Sequence, residues 1–266
     1  MTEPSVPGHA PRQRVGVPVD VTDPMGTPTG AALTGAAVVV RPPDPAGDAG
    51  PLYAGAHGDP ATEALWTYMP YGPFAGPGVM RAWLEDCAAS TDPAFRVVAD
   101  RASGEALGMA SYLNHVPGQR RIELGHIWYC PRAQGTRVNT ETVWLMLREC
   151  FERGARRVEW KCDALNARSR QAALRLGFRF EGVFRQHQIV KGRNRDTAWY
   201  ALVDADWPAV RANMERWLHG DEEGLSLTEL NAPLVADFHD PAAPARKARA
   251  RTKSSARTKR SSRNRE

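Results

Sequence analysis

The sequence predicts a mixed α/β domain, and three observations carry that reading. Apolar residues alternate with a period of two in several short runs, the mark of strands that bury one face. Two such runs, "RIELGHIWYC" (121–130) and "RVEWKCD" (157–163), bracket a segment of helical periodicity, and a second helical segment follows. A strand–helix–strand unit of this kind places its strands in parallel with a right-handed crossover. Hairpin signals before and after it add antiparallel strands. Ligands on such a sheet favour the carboxyl ends of the parallel pair.

The elements follow in order. "AAVVVRP" (36–42) reads as a strand, followed by a helical stretch from about Pro45 to Ala89 that "YMPYGPF" breaks. "AFRVVADR" and "ALGMASYLNHV" flank the turn "ASGE" as an antiparallel hairpin. In 121–130, Ile122, Leu124, His126 and Trp128 alternate against Glu123, Gly125, Ile127 and Tyr129. The next helix runs to about Arg153, with Val143, Trp144, Met146, Leu147, Cys150 and Phe151 on one face and Leu145 off it. "NARSRQAALRLGF" (166–178) is a short helix with Asn166 as N-cap and Gly177 as the left-handed residue beyond its end. Ala172, Ala173 and Leu176 share an arc centred on Ser169, with Arg168, Arg170, Gln171 and Arg175 outside it. "FRFEGVFRQHQIV" and "DTAWYALV" pair across "KGRNRD". Asp206 and Pro208 then open a helix whose Val210, Met214 and Trp217 share one face.

A chain of 266 residues, 42% apolar with eight tryptophans, can bury a sizeable core. Residues 31–219 read as one domain. Residues 1–30 are rich in Pro, Gly, Thr and Val without periodicity and read as a flexible leader. Residues 220–240 form an extension that either docks or hangs loose. Residues 241–266 lack large apolar side chains and read as a disordered tail. The net charge of +5 belongs to that tail: residues 246–266 hold ten Lys/Arg and one acid, so the rest of the chain is mildly acidic. Such a segment suits nucleic acid or another polyanion, or serves only to solubilise. No run is long enough to span a membrane, and the start lacks the pattern of a secretory signal. Cys87, Cys130, Cys150 and Cys162 have no ligand spacing, which suits reduced thiols in a cytoplasm. The histidines are scattered, so a metal site has no support.

Two places invite chemistry. The loop "PRAQGTRVNTE" (131–141) leads from strand to helix, where unpaired N–H groups and the positive end of the helix dipole attract phosphate. Gln134, Gly135, Thr136 and Arg137 would let the backbone approach a diphosphate; an ordinary strand-to-helix turn is the alternative. Ser169 places a hydroxyl in an apolar helix face, where it bonds either the carbonyl one turn back or a ligand in a cleft.

The run from 121 to 178 resembles the acyl-CoA-binding centre of the GNAT N-acyltransferase superfamily. The nearest branch is that of the RimJ/RimL-type ribosomal-protein acetyltransferases. "NARSRQAALRLGF" is similar to that branch's Asn-x-x-Ser…Leu-Gly-Phe helix. "QGTRVNTE" matches the diphosphate loop through Gln134, with Thr140–Glu141 as in the branch, and "EGVFRQHQIVKGRNRDTAWYALVDADWP" resembles its C-terminal hairpin. The resemblance covers most of 31–219. It implies a mostly antiparallel twisted sheet, a central parallel strand pair splayed apart, and helices on both faces. Two positions depart from the pattern. Arg137 and Asn139 stand where glycine, and glycine or alanine, are usual; a side chain there either crowds the diphosphate or swings out to bind it. Ala173 replaces the tyrosine that many members use to protonate the departing thiolate, and Ser169, one turn earlier, is the implied substitute.

The resemblance further implies direct transfer of an acetyl group from acetyl-CoA to an amine, on a protein N-terminus or a small molecule. Backbone donors at Ile127, Trp128 and Tyr129 would hold the oxyanion. Gln134, Gly135, Thr136, Arg137, Val138, Asn139 and Thr140 would cradle the diphosphate. Asn166 either touches the pantetheine arm or only caps its helix. Glu123 is the expected base, with a solvated strand acid as the alternative; His126 is near, but alternation assigns it to the opposite face. Trp66, Tyr68, Tyr71 and Phe74 either line the acceptor side or pack the core. Contact between residues 246–266 and ribosomal RNA would suit such an enzyme. The rival reading is a non-catalytic protein that keeps the fold and binds nucleic acid through its tail.

Overall fold

The computed structural model describes residues 15–20 and 23–236. Strands β1 (Leu33–Thr34) and β2 (Val38–Arg41) precede helices α1 (Pro45–Ala56), α2 (Pro60–Leu65) and α3 (Pro77–Ala89). There follow β3 (Ala94–Asp100), β4 (Ala106–Val116), β5 (Arg121–Tyr129), α4 (Val138–Glu152), β6 (Arg157–Asp163) and α5 (Ala167–Arg175). The chain continues through β7 (Arg179–Val190), β8 (Arg193–Val203), α6 (Trp207–His219) and α7 (Leu227–Val235). The strands form one sheet in the order β1-β2-β3-β4-β5-β6-β8-β7. Every neighbouring pair is antiparallel except β5 and β6. The mixed, mostly antiparallel sheet expected from the sequence is therefore what forms.

Each face has its own core. On one, Leu52, Trp66, Met80 and Leu84 of the α1–α3 region pack on Phe95, Val97, Met109 and Trp128. On the other, Val143, Met146, Leu147 and Cys150 of α4 and Val210 and Met214 of α6 meet Ile122, Leu124, Val158 and Trp160. Full burial of each such side chain contributes roughly 1.5–3 kcal/mol.

β5 does not keep a single alternation. Ser111 pairs with Gly125, but Met109 pairs with Trp128, so β5 carries an extra residue between them. His126 takes it up with φ of +51°, a left-handed conformation unusual outside glycine. The bulge shifts the phase: Ile122 and Leu124 face α4, whereas Trp128 joins the α1–α3 core. His126 therefore lies on the same face as Glu123, contrary to the expectation from unbroken alternation.

Several local expectations are revised by packing. Leu145 is fully buried because residues 25–33, largely in the expected leader, lie along α4. There Gly26 N–H donates to Arg153 O, and the N–H and Oγ1–H of Thr29 donate to Glu149. Glu141, also buried, accepts from the N–H groups of Ala36 and Ala37 and ties α4 to the β1–β2 turn. In α6, Leu218 enters the core, while Trp217 donates its Nε1–H to Leu225 O. The extension docks through α7: Leu227 is buried, and Asn231 accepts from Asn213 and donates to Arg175 O at the end of α5. The basic tail lies outside the described residues.

Candidate active site

The parallel pair separates at its carboxyl end. β5 and β6 stay in register from Arg121 and Arg157 to Leu124 and Trp160, and no further. Beyond that point β5 follows β4 as far as Gly108 and Tyr129, while β6 follows β8 as far as Asp163 and Thr197. Each strand obeys its antiparallel neighbour, and a gap opens between them. The main chain of Tyr129 faces this gap. Cys130 N–H donates to Leu107 O of β4, so its neighbour Tyr129 points the other way. The carbonyl of Tyr129 accepts instead from Gln134 Nε2 at 2.8 Å. Its N–H is thus aimed into the gap, whereas Trp128, paired with Met109, is turned toward β4.

Gln134, Gly135, Thr136 and Arg137 form an exposed loop beside that opening, with Gly135 at φ of +72°. Thr136 donates to Ala133 O and accepts from Val138 N–H, which shapes the start of α4. Arg137, the N-cap residue, turns its guanidinium away from the loop and donates to Leu218 O at the end of α6. The guanidinium is turned out of the loop, and the bond it makes is to protein. Val138 and Thr140 are buried, so only their main chains can reach a ligand. The Thr140 hydroxyl accepts from Arg175 Nη1 at 2.7 Å, and Asn139 Oδ1 is buried without a partner among the described residues.

α5 begins beyond the end of β6 and forms the other lip. Asn166 Oδ1 accepts from Ser169 N–H at 3.1 Å, the cap expected from the sequence. Ser169 Oγ accepts from Trp160 Nε1 at 3.0 Å. A hydroxyl has one proton and two lone pairs, so the indole bond does not use the Ser169 proton. Cys162 lies beside it; burial pushes that thiol up to about 11, against the opposing influence of Ser169 and Arg170. Arg170, expected outside the apolar arc, is only 5% exposed. Its long side chain satisfies Ala164 O and Tyr200 OH, which makes a buried guanidinium tolerable.

On the opposite face of the sheet, parallel register sets Glu123 beside Glu159. Lys161 separates the like charges, 2.7 Å from Glu123 and 3.0 Å from Glu159. Asn114 Nδ2 also donates to Glu123, while Arg121 and Arg157 pair with Glu159 and Arg157 reaches Glu181. Burial pushes the Glu159 carboxyl up, but hydrogen bonds from Arg157 and Lys161 outweigh it and hold the pKa below the usual value. Glu123 is thus a buried, ion-paired acid rather than a solvated one. Lys161 and Asn114 are absent from the sequence reading, because finding them requires the strand register.

His126 projects from the bulge onto Tyr71, with ring centroids 5.7 Å apart and planes 11° from parallel, and leans on Phe95. Burial, and secondarily the charge of Arg195, lower its pKa to about 4. Tyr71 and Phe74 pack around Trp83 and are partly exposed. Tyr68 donates to Leu165 O just before α5, and Lys191 from the β7–β8 turn donates to Trp66 O. The aromatic loop therefore bridges from the helical layer to both α5 and the hairpin. Trp66 itself is buried, its Nε1–H donated to Ala56 O, so it supports the wall from behind.

The fold that carries this arrangement has counterparts among known proteins. The Acetyltransferase (GNAT) domain family matches residues 37–179. The chain belongs to the GNAT acetyltransferase family. Among solved GNAT structures, a GCN5-related N-acetyltransferase from Brucella melitensis is 34% identical. That match covers 79% of this chain and 97% of the other, with a TM-score of 0.74. A GNAT-family structure from Chromobacterium violaceum ATCC 12472 is 38% identical over 75% of this chain and 100% of the other, at a TM-score of 0.69. The microcin C7 self-immunity acetyltransferase MccE, solved in complex with acetyl-CoA and AMP, shares the fold. Its TM-score is 0.56 at 19% identity, covering 64% of this chain and 93% of that one. No curated protein sequence matches the chain. GNAT acetyltransferases use acetyl-CoA as acyl donor, and this GNAT chain is an acetyltransferase. Among the described residues of this GNAT domain, no helix is long and apolar enough to cross a membrane, and no cluster of ligating side chains could hold a metal ion.

Proposed function

We propose that residues 31–219 form an acyltransferase domain that transfers the acetyl group of acetyl-CoA to an amine within a ternary complex. The observation that carries this reading is the gap beyond Leu124 and Trp160, with the Tyr129 N–H on one lip and the Ser169 hydroxyl on the other. The start of α4 and the open loop at Gln134, Gly135 and Thr136 suit the diphosphate, since free N–H groups and the helix dipole favour anions. Asn166 caps α5 and leaves its amide nitrogen for the pantetheine arm.

The amine nitrogen attacks the thioester carbon, and the new C–N bond drives the carbonyl electrons onto oxygen. The Tyr129 N–H, with Ile127 beside it, steadies that oxyanion; one such donor contributes about 3 kcal/mol in well-studied enzymes. The C–S bond then breaks, and the thiolate takes the Ser169 proton. Glu123, between Asn114 and Lys161, takes the proton lost by the amine through water, and solvent restores the serine. Tyr68, Tyr71 and Phe74 line the acceptor side. The acceptor is an amine on a protein N-terminus or on a small molecule in a cytoplasmic setting, with the basic tail as a nucleic-acid or ribosome contact.

Calorimetric titration with acetyl-CoA tests this first, followed by a thiol-release screen over free amines and N-terminal peptides. The proposal predicts one coenzyme per chain and amine-dependent thiol release. Absence of coenzyme binding overturns it and leaves the non-catalytic reading.

A further inference from the structure

The face of the sheet that Glu123 occupies carries hydrogen-bond donors that nothing among the described residues satisfies. Alternation turns Arg195, Thr197 and Trp199 of β8 onto this face. Lys161, the strand partner of Trp199, holds its Nζ 3.9 Å from the centre of that ring. Three cations here, Lys161, Arg121 and Arg157, are balanced by Glu123, Glu159 and Glu181. Arg195 has no such counterpart. Among the described residues its guanidinium meets only the neutral Gln188 Oε1, at 3.0 Å, and its Nε is buried without a partner. It lies two residues beyond the last β6–β8 pair, Asp163 with Thr197, and so stands past the carboxyl end of β6 where the gap opens.

Trp199 Nε1 is likewise buried and, among the described residues, without a partner. Arginine Nε and indole Nε1 can only donate. The missing partner is therefore rich in acceptor oxygens, and beside an unbalanced guanidinium such a group is favoured as an anion. A carboxylate or phosphate fits; a second cation does not. We propose that the acceptor is an amine bearing a carboxylate or phosphate, which Arg195 grips while the amine faces the thioester. This rests on the acyl-transfer reading above and adds the charge class of its acceptor.

The test is thiol release from acetyl-CoA with matched amines: phenylalanine against phenethylamine, glutamate against 4-aminobutyrate amide, and phosphoethanolamine against ethanolamine. At least one anionic amine should be turned over with kcat/KM about tenfold or more above its neutral partner, as one charge-assisted contact allows. In R195Q that ratio should collapse to about one, through KM, and R195K should restore part of it, because the point charge returns without the planar fork. Which pair shows the preference separates carboxylate from phosphate. Calorimetry on each variant should return the parent's affinity for acetyl-CoA, which shows that the fold is intact. Equal use of charged and neutral partners, failure of every anionic amine, or an unchanged ratio in R195Q overturns the proposal. Failure of acetyl-CoA to bind the parent protein would overturn the acyl-transfer reading instead.

Discussion

The first part of β5, Arg121–Leu124, lies in parallel register with β6, whereas Gly125–Tyr129 follows β4 alone. The paired part is closed by main-chain bonds and by the charges of Glu123, Glu159, Lys161, Arg121 and Arg157 on one face. On its other face Ile122, Leu124, Val158 and Trp160 are buried against the helices. The free part has a donor at Tyr129 that is turned away from β4. A single inserted residue, His126, bulges the free part just past Gly125. An interrupted ladder thus yields a ligand site without a long loop: the closed part fixes the strands, and the open part leaves main-chain groups unspent.

Loss of the closed part should have the largest effect. Lys161→Met leaves Glu123 and Glu159 facing each other in a buried setting, and breaking such a cluster costs about 3 kcal/mol. Urea unfolding should show a midpoint lowered accordingly; a loss under about 1 kcal/mol would mean that the charges do not clamp the pair. In the open part, Ser169→Ala should lower kcat by about 100-fold, the scale of general-acid catalysis, with acetyl-CoA affinity unchanged. Unaltered turnover would remove Ser169 from the reaction.

The bulged residue of the free part gives a pH signature. The His126 pKa is lowered from the usual 6.5 to about 4, so the unfolded chain binds this proton more readily than the folded one. Stability should therefore fall as pH drops from about 6.5 to about 4, and no further from this site below that. His126→Asn should flatten the melting-temperature profile over that interval; an unchanged slope would contradict a buried, neutral imidazole. The smallest effect is expected at Arg137. Because its guanidinium is spent on Leu218 O, Arg137→Ala should change acetyl-CoA affinity less than about threefold. A larger loss would show that the side chain turns back onto the diphosphate.

What the sequence reveals is governed by how local its causes are. α5 is readable because its cap at Asn166 and its left-handed stop at Gly177 lie within one short segment. The parallel pair is readable because a strand–helix–strand unit has few topologies. The shared face of Glu123 and His126 is hidden, since the bulge depends on how β4 pairs with β5. Lys161 is hidden for the same reason, as its partners come from adjacent strands. Leu145 looks misplaced until residues 25–33 cover it, and Arg170 looks solvent-facing until Ala164 O and Tyr200 OH are placed around it. Arg195 carries no motif; its unmet Nε and its neutral partner Gln188 become visible only once β8 is placed.

Amide hydrogen exchange with and without acetyl-CoA tests the difference between the two parts of β5 most directly. Coenzyme should slow exchange at Tyr129 and at Val138–Thr140, while Ile122–Leu124, already bonded between strands, should exchange at the same slow rate in both states. Exchange that is unchanged at Tyr129 and at the start of α4, or slowed equally along all of β5, would contradict a thioester held in the gap.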